Sequence, residues 1–150
     1  MERHISVRGI AVLDGKLLCV RLKPYFTVED GDYNFWCTPG GGLDPGESLI
    51  EGFNREMIEE TGVTPQVGRL LYVQQFPRQG KDILEFLFHI KNSEDYRSVD
   101  LSKTTHGPAE IEAIDFVDPK AVRVLPDFLA SENLEEFIAS NDPVRFFARY

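Results

Sequence analysis

Cysteine is scarce in this chain of 150 residues: Cys19 and Cys37 are the only two, and both lie in apolar runs. A disulfide framework is excluded, and two reduced, buried thiols are expected. The three histidines, His4, His89 and His106, are scattered, so no pair has the spacing of a zinc site. No apolar run approaches the ~20 residues of a membrane span. The N-terminal MERHISVRG carries charge where a signal peptide needs its apolar stretch. A cytoplasmic protein with no membrane partner is the expectation. Basic charge is also short, with 16 Lys and Arg against 25 Asp and Glu and a net charge of −9. Nucleic acid is therefore not an expected partner, because phosphate backbones attract basic surface. An acidic protein can still bind phosphates where metal ions supply positive charge locally.

Repeats, low-complexity segments and linkers are absent as well, so residues 1–150 read as one domain. A content of 42% hydrophobic and 11% aromatic residues is enough for a core. Ile5 and Val7 alternate with polar residues ahead of the apolar run 10–13. Asp14-Gly15 reads as a turn and 16–22 as the returning strand of a β-hairpin. Residues 23–33 read as a polar loop, and 34–38 as a short aromatic strand running into Pro39 and three glycines.

A helix is predicted from Asp44-Pro45-Gly46-Glu47, which offers an N-cap, a proline at the first position and a glutamate three residues after the cap. It should end near Thr61, with Gly62 as the stop and Ile50, Phe53 and Met57 as its buried stripe. Residues 67–76 and 82–91 read as strands joined by a turn at 77–80, and 92–109 as a polar loop. A strand at 111–117, a short helix opened by Asp118-Pro119 and a last helix near 131–140, with Leu134, Phe137 and Ile138 as its apolar face, complete the chain. Strands and helices mixed in this way predict an α/β layered fold with a mixed sheet.

The chemistry lies in residues 41–63, GGLDPGESLIEGFNREMIEETGV. Glu56, Glu59 and Glu60 are spaced i, i+3, i+4 and so share one face of the helix. Such a row is either a solvated acidic face or a set of ligands for a cation. Hard divalent ions such as Mg²⁺ prefer oxygen donors. The glycines before the helix allow a sharp turn and close approach of a ligand, and the Gly40 carbonyl is a candidate further donor. No Gly-Lys-Ser/Thr follows, so this is not a Walker-type loop. Arg55, four residues after Glu51 and eight after Glu47, is placed to hold a carboxylate in a fixed orientation.

These residues resemble the Nudix family. Its signature is Gly, five residues, Glu, seven residues, Arg-Glu, an apolar residue, any residue, Glu-Glu, any residue, Gly and an apolar residue. Gly41, Glu47, Arg55, Glu56, Met57, Glu59, Glu60, Gly62 and Val63 meet it without departure. Seven fixed identities would coincide by chance in a chain of this length about once in a hundred thousand or less. The resemblance implies the family's α/β/α sandwich with a mixed sheet, and metal-dependent hydrolysis of a nucleoside diphosphate linked to another moiety. ADP-ribose, a nucleotide sugar or a nucleoside triphosphate are all open as the substrate.

It implies Glu56 and Glu60 as principal ligands of Mg²⁺ or Mn²⁺, with the Gly40 carbonyl as a backbone ligand and Glu59 as a further ligand or the base. Arg55 then orients the glutamates, and Glu47 is its partner or an outer-sphere metal contact. In this family the base sometimes lies outside the signature, and Glu110 is the candidate, with Glu85 and Glu112 as alternatives. Arg21 and Lys23 are candidates for phosphate contact, and Phe26, Tyr33 and Phe76 for stacking on a base. Pro77 stands roughly where ADP-ribose-cleaving relatives carry a proline.

Two rival functions remain. One is a nucleotide-binding or regulatory module on the same fold, and the other an isomerase of isopentenyl diphosphate, for which Cys37 would be the pertinent residue. Family members often form homodimers, although no exposed seam in the sequence argues for one here.

Overall fold

The computed structural model describes residues 1–24 and 34–149. Apolar-rich runs build β1 (Glu2–Ile10), β2 (Val12–Leu13) and β3 (Lys16–Leu22), the last buried on both faces from Leu17 to Val20. β2 and β3 form the hairpin: Val12 pairs with Leu17 and Leu13 with Lys16. Asp14 and Gly15 take φ values of 52° and 77°, the positive pair that a two-residue turn between twisted strands requires. There follow β4 (Trp36–Cys37), β5 (Gly40–Gly42), α1 (Leu49–Thr61), β6 (Val67–Arg78) and β7 (Lys81–Ile90). The remainder comprises α2 (Gly107–Glu110), β8 (Ile111–Val117), β9 (Val124–Leu125), α3 (Leu134–Ala139) and β10 (Arg145–Ala148).

Among the described residues the strands form two mixed sheets rather than one. The first has the order β10-β6-β7-β1-β5, with β1 parallel to β7 over nine residue pairs and antiparallel to β5. The second runs β2-β3-β4-β9, with β8 paired to β3. Alternation along β1 sends Val7 to one face of the first sheet, where it packs with Phe53 and Met57 of α1 and with Phe88, Ile90 and Tyr96. Ile10 goes to the other face, with Tyr72, Leu87, Leu129, Leu134 and Phe137. The first sheet is thus covered by α1 on one side and α3 on the other. No described helix is long and apolar enough to cross a membrane.

Several local expectations are corrected. α1 starts later than Asp44: Ser48 is the N-cap, accepting from the Glu51 N–H at 3.1 Å. Asp44 to Glu47 form a turn instead, closed by the Glu47 N–H on the Asp44 carbonyl at 3.2 Å, with Gly46 at φ 85°. Ile50 is 40% exposed, so Phe53 and Met57 carry the buried stripe without it. Gly62 does end the helix, at φ 75°.

The stretch 92–109 is not merely loop. It holds 3-10 turns at Ser93–Tyr96 and Leu101–Lys103, which bury Tyr96, and then α2. Residues 118–122 make a turn on the Asp118 carbonyl rather than a helix. Residues 131–140 divide between the end of a 3-10 turn, Asp127–Ser131, and the shorter α3. β10, parallel to β6, was not anticipated. Phe26 and Tyr33 lie outside the described residues.

Candidate active site

α1 brings Arg55, Glu56, Glu59 and Glu60 together beside β5, and the glycines of β5 are what permit the approach. A Cβ on Gly41 would lie 2.6 Å from the Glu56 carboxylate, closer than side chains tolerate. The Gly40 N–H donates to Glu60 Oε2 at 3.0 Å. Gly40 adopts φ 138°, a left-handed backbone that favours glycine.

Arg55 is the hub. Its Nε and Nη2 grip Glu47 at 2.7 and 2.9 Å, and its Nη1 reaches Glu56 at 3.0 Å and Glu59 at 3.1 Å. Nη2 also donates to the Gly42 carbonyl at 2.9 Å, which ties helix to strand. The Arg55 hydrogen bonds hold Glu47 below the usual carboxylate range. Glu56 and Glu60 shift the other way. Burial raises both, and Glu60 is pushed up to about 8, with the charges of Glu56 and Glu110 acting in the same sense.

Glu56 and Glu60 face a cleft of about 310 Å³ shared with Arg8, Cys37, His106 and Glu110. Glu110 is delivered there by α2, whose first turn is anchored on α1. The His106 N–H donates to the Glu59 carbonyl at 3.0 Å, and His106 Nδ1 lies 3.3 Å from Glu59 Oε2. Burial pushes the Cys37 thiol up to about 11, so it is part of the wall rather than a ready nucleophile.

Among the described residues, no three His, Cys, Asp or Glu side chains are drawn together as a finished cage. The donor chemistry nonetheless fits a hard divalent cation. Two desolvated carboxylates border one cleft, each raised by burial, and a cation between them would offset that penalty.

The candidates outside the signature separate. Glu110 lies in the cleft. Glu85 is buried and committed, accepting from Ser6 Oγ at 2.9 Å, Arg8 Nε at 2.5 Å and Gln74 Nε2 at 2.5 Å. Glu112 is exposed and paired with Arg21 at 3.3 Å. Arg21 also reaches Asn34 at 3.3 Å and stands 6.0 Å over the Trp36 ring, and it does not line the cleft. Lys23 Nζ donates to the Pro108 carbonyl. Phe76 sits in β6 opposite Ile83, also away from the cleft.

The structure adds two residues that the sequence reading passed over, Arg8 and His106. The available signal for Arg8 was a cation in the middle of an apolar strand. His106 offered none, because its role depends on where α2 folds.

A domain model described as "NUDIX domain" matches residues 2–139 of the chain. The phosphatase NudJ of Escherichia coli is 32% identical over 89 residues, which is 59% of this chain and 54% of that protein. A putative 8-oxo-dGTP diphosphatase of Bacillus subtilis is 41% identical over 51 residues, 34% of each chain, so the chain matches about half or less of the length of these curated relatives. Among solved structures, a MutT protein from Methanosarcina mazei Go1 is similar with a TM-score of 0.68 and 25% identity, covering 95% of this chain and 97% of that one. The E. coli ORF135 protein has a TM-score of 0.68 at 22% identity, covering 94% of each chain.

Proposed function

The chain belongs to the Nudix family, and from that premise we propose that it hydrolyses a phosphoanhydride bond in a nucleoside diphosphate linked to another moiety, with Mg²⁺ or Mn²⁺ as cofactor. The observation that carries this is the pair of desolvated carboxylates, Glu56 and Glu60, facing one cleft and locked by Arg55 and the Gly40 N–H.

Glu56 and Glu60 would hold the cation, with the Gly40 carbonyl completing the oxygen set and Glu59 within reach as a further donor. When bound, the ion neutralises phosphoryl oxygens and makes water a competent nucleophile. Glu47 acts through Arg55, which it holds by both oxygens. Glu110 is the preferred base. It lines the cleft, whereas the Glu59 carboxylate is already engaged by Arg55 and His106. In the reaction a water oxygen attacks phosphorus, its proton passes to the Glu110 carboxylate, and the bridging oxygen leaves on the departing phosphate. The substrate is a small nucleotide-type molecule, and ADP-ribose, nucleotide sugars and nucleoside triphosphates all satisfy that description.

The test is a panel of ADP-ribose, nucleotide sugars, dinucleoside polyphosphates and nucleoside triphosphates assayed with Mg²⁺ and Mn²⁺, with products separated by chromatography. One preferred substrate is expected, with turnover abolished in Glu60→Gln. Glu110→Gln should lower kcat by about 10²–10⁴-fold, the ordinary contribution of a positioned base. If the folded wild type binds nucleotide but cleaves nothing in the panel, the hydrolase reading fails and a binding module replaces it.

A further inference from the structure

Arg8 is the one lysine or arginine among the described residues that line the cleft. Its position follows from strand register: Arg8 of β1 is paired with Gly40 of β5, whose N–H holds Glu60. The cation is therefore set beside the carboxylate row by backbone pairing rather than by a flexible loop.

Its orientation is fixed as well. Nε donates to Glu85 at 2.5 Å and Nη1 to the Thr38 carbonyl at 2.7 Å. Glu85 cannot swing away, because Ser6 Oγ and Gln74 Nε2 also donate to it. This leaves Nη2, which has no acceptor among the described residues. The Arg8 side chain keeps 23% of its surface exposed while Glu85 keeps 5%, so the arginine is the accessible end of the pair. A guanidinium that lines a cleft and is held at Nε and Nη1 retains a nitrogen with which to meet a phosphate oxygen. Arg21 at the end of β3 and Lys23 just beyond it do not supply this, since both are turned to other partners.

We propose that Arg8, held in place by Glu85, Gln74, Ser6 and the Thr38 carbonyl, binds a phosphate oxygen of the diphosphate substrate in the cleft. This rests on the hydrolase reading above and adds a specific contact to it: Arg8 touches substrate, and Glu85 is the residue that positions Arg8. The selectivity that follows is for a chain of at least two phosphates, one group on the glutamate side and one against the guanidinium.

The probe is imidodiphosphate, a diphosphate whose bridge cannot be hydrolysed, titrated calorimetrically into the protein at saturating Mg²⁺. Arg8→Lys keeps the charge and loses the fork. Arg8→Gln combined with Glu85→Gln removes both charges together, so that no buried charge is stranded. The double variant should bind imidodiphosphate at least tenfold more weakly and Arg8→Lys severalfold more weakly, while the affinity for Mg²⁺ alone and the melting temperature stay close to wild type. With the preferred substrate, KM should rise by more than kcat falls.

Binding within twofold of wild type in either folded variant overturns the proposal, as does a loss of Mg²⁺ affinity parallel to the loss of imidodiphosphate. The two readings fail separately. If nothing in the panel is cleaved but diphosphate binding still requires Arg8, only the hydrolysis falls. If cleavage depends on Glu60 and binding ignores Arg8, only the clamp falls.

Discussion

At the scale of the residue, Arg55 is where geometry makes the sharpest demand. It meets Glu47 through two nitrogens and Glu56, Glu59 and the Gly42 carbonyl besides, which only a planar fork can do. Arg55→Lys retains the charge but can satisfy one direction at a time. It should lower metal-dependent turnover by about 10- to 100-fold, as loss of a residue supporting metal ligands generally does. Kinetics against Mg²⁺ concentration would check this, with a raised metal requirement as the sign that the glutamates have lost their orientation. Arg55 and its glutamates were legible in the sequence because they lie within one helix, where spacing alone decides which side chains share a face. Arg8 was not, since its partner Glu85 is 77 residues away and only strand pairing unites them.

At the scale of the element, α1 shows two start signals competing. Asp44-Pro45-Gly46-Glu47 has the composition of a helix beginning, yet Glu47 is drawn to Arg55 and to the Asp44 N–H at 2.7 Å. The backbone turns at Gly46, and the cap passes to Ser48, with Glu51 as the glutamate of the first turn. Ser48→Ala should therefore destabilise the protein by about 1 kcal/mol, whereas Asp44→Ala should leave the helix intact. Gly62→Ala, which forces a Cβ onto a residue at φ 75°, should cost about 1 kcal/mol or more. Urea denaturation midpoints at constant m-value would rank the three. The helix, both long strands of 67–90 and the strand 111–117 could be read from periodicity. β10 could not, because RFFA is short and its pairing partner, β6, lies some seventy residues back.

At the scale of the whole molecule, the ion pair of Arg8 and Glu85 links stability to pH. Burial alone would raise Glu85, but Arg8 and the donors Gln74 and Ser6 more than offset it, so the carboxyl titrates below its ordinary 4.5. A lowered carboxylate stabilises the folded state above the unfolded value and loses that contribution as pH falls below 4.5 toward the folded value. Glu85→Gln should be less stable than wild type by up to about 3 kcal/mol at neutral pH, since it leaves Arg8 without its counter-charge. The gap should close progressively below pH 4.5. Melting temperatures of the two proteins from pH 3 to 7 would show it, and a gap independent of pH would refute the assignment.

The parallel pairing of β1 with β7 has a consequence in time as well. Arg3 meets Asp82 and Ser6 meets Glu85 across 79 residues of chain. At a synthesis rate of ~5–20 residues/s, the first strand leaves the ribosome about 4 to 16 seconds before its partner exists. Through that interval β1 can pair with β5 alone, and its other edge, which β7 will occupy, stays open to chaperones and to other unfinished chains.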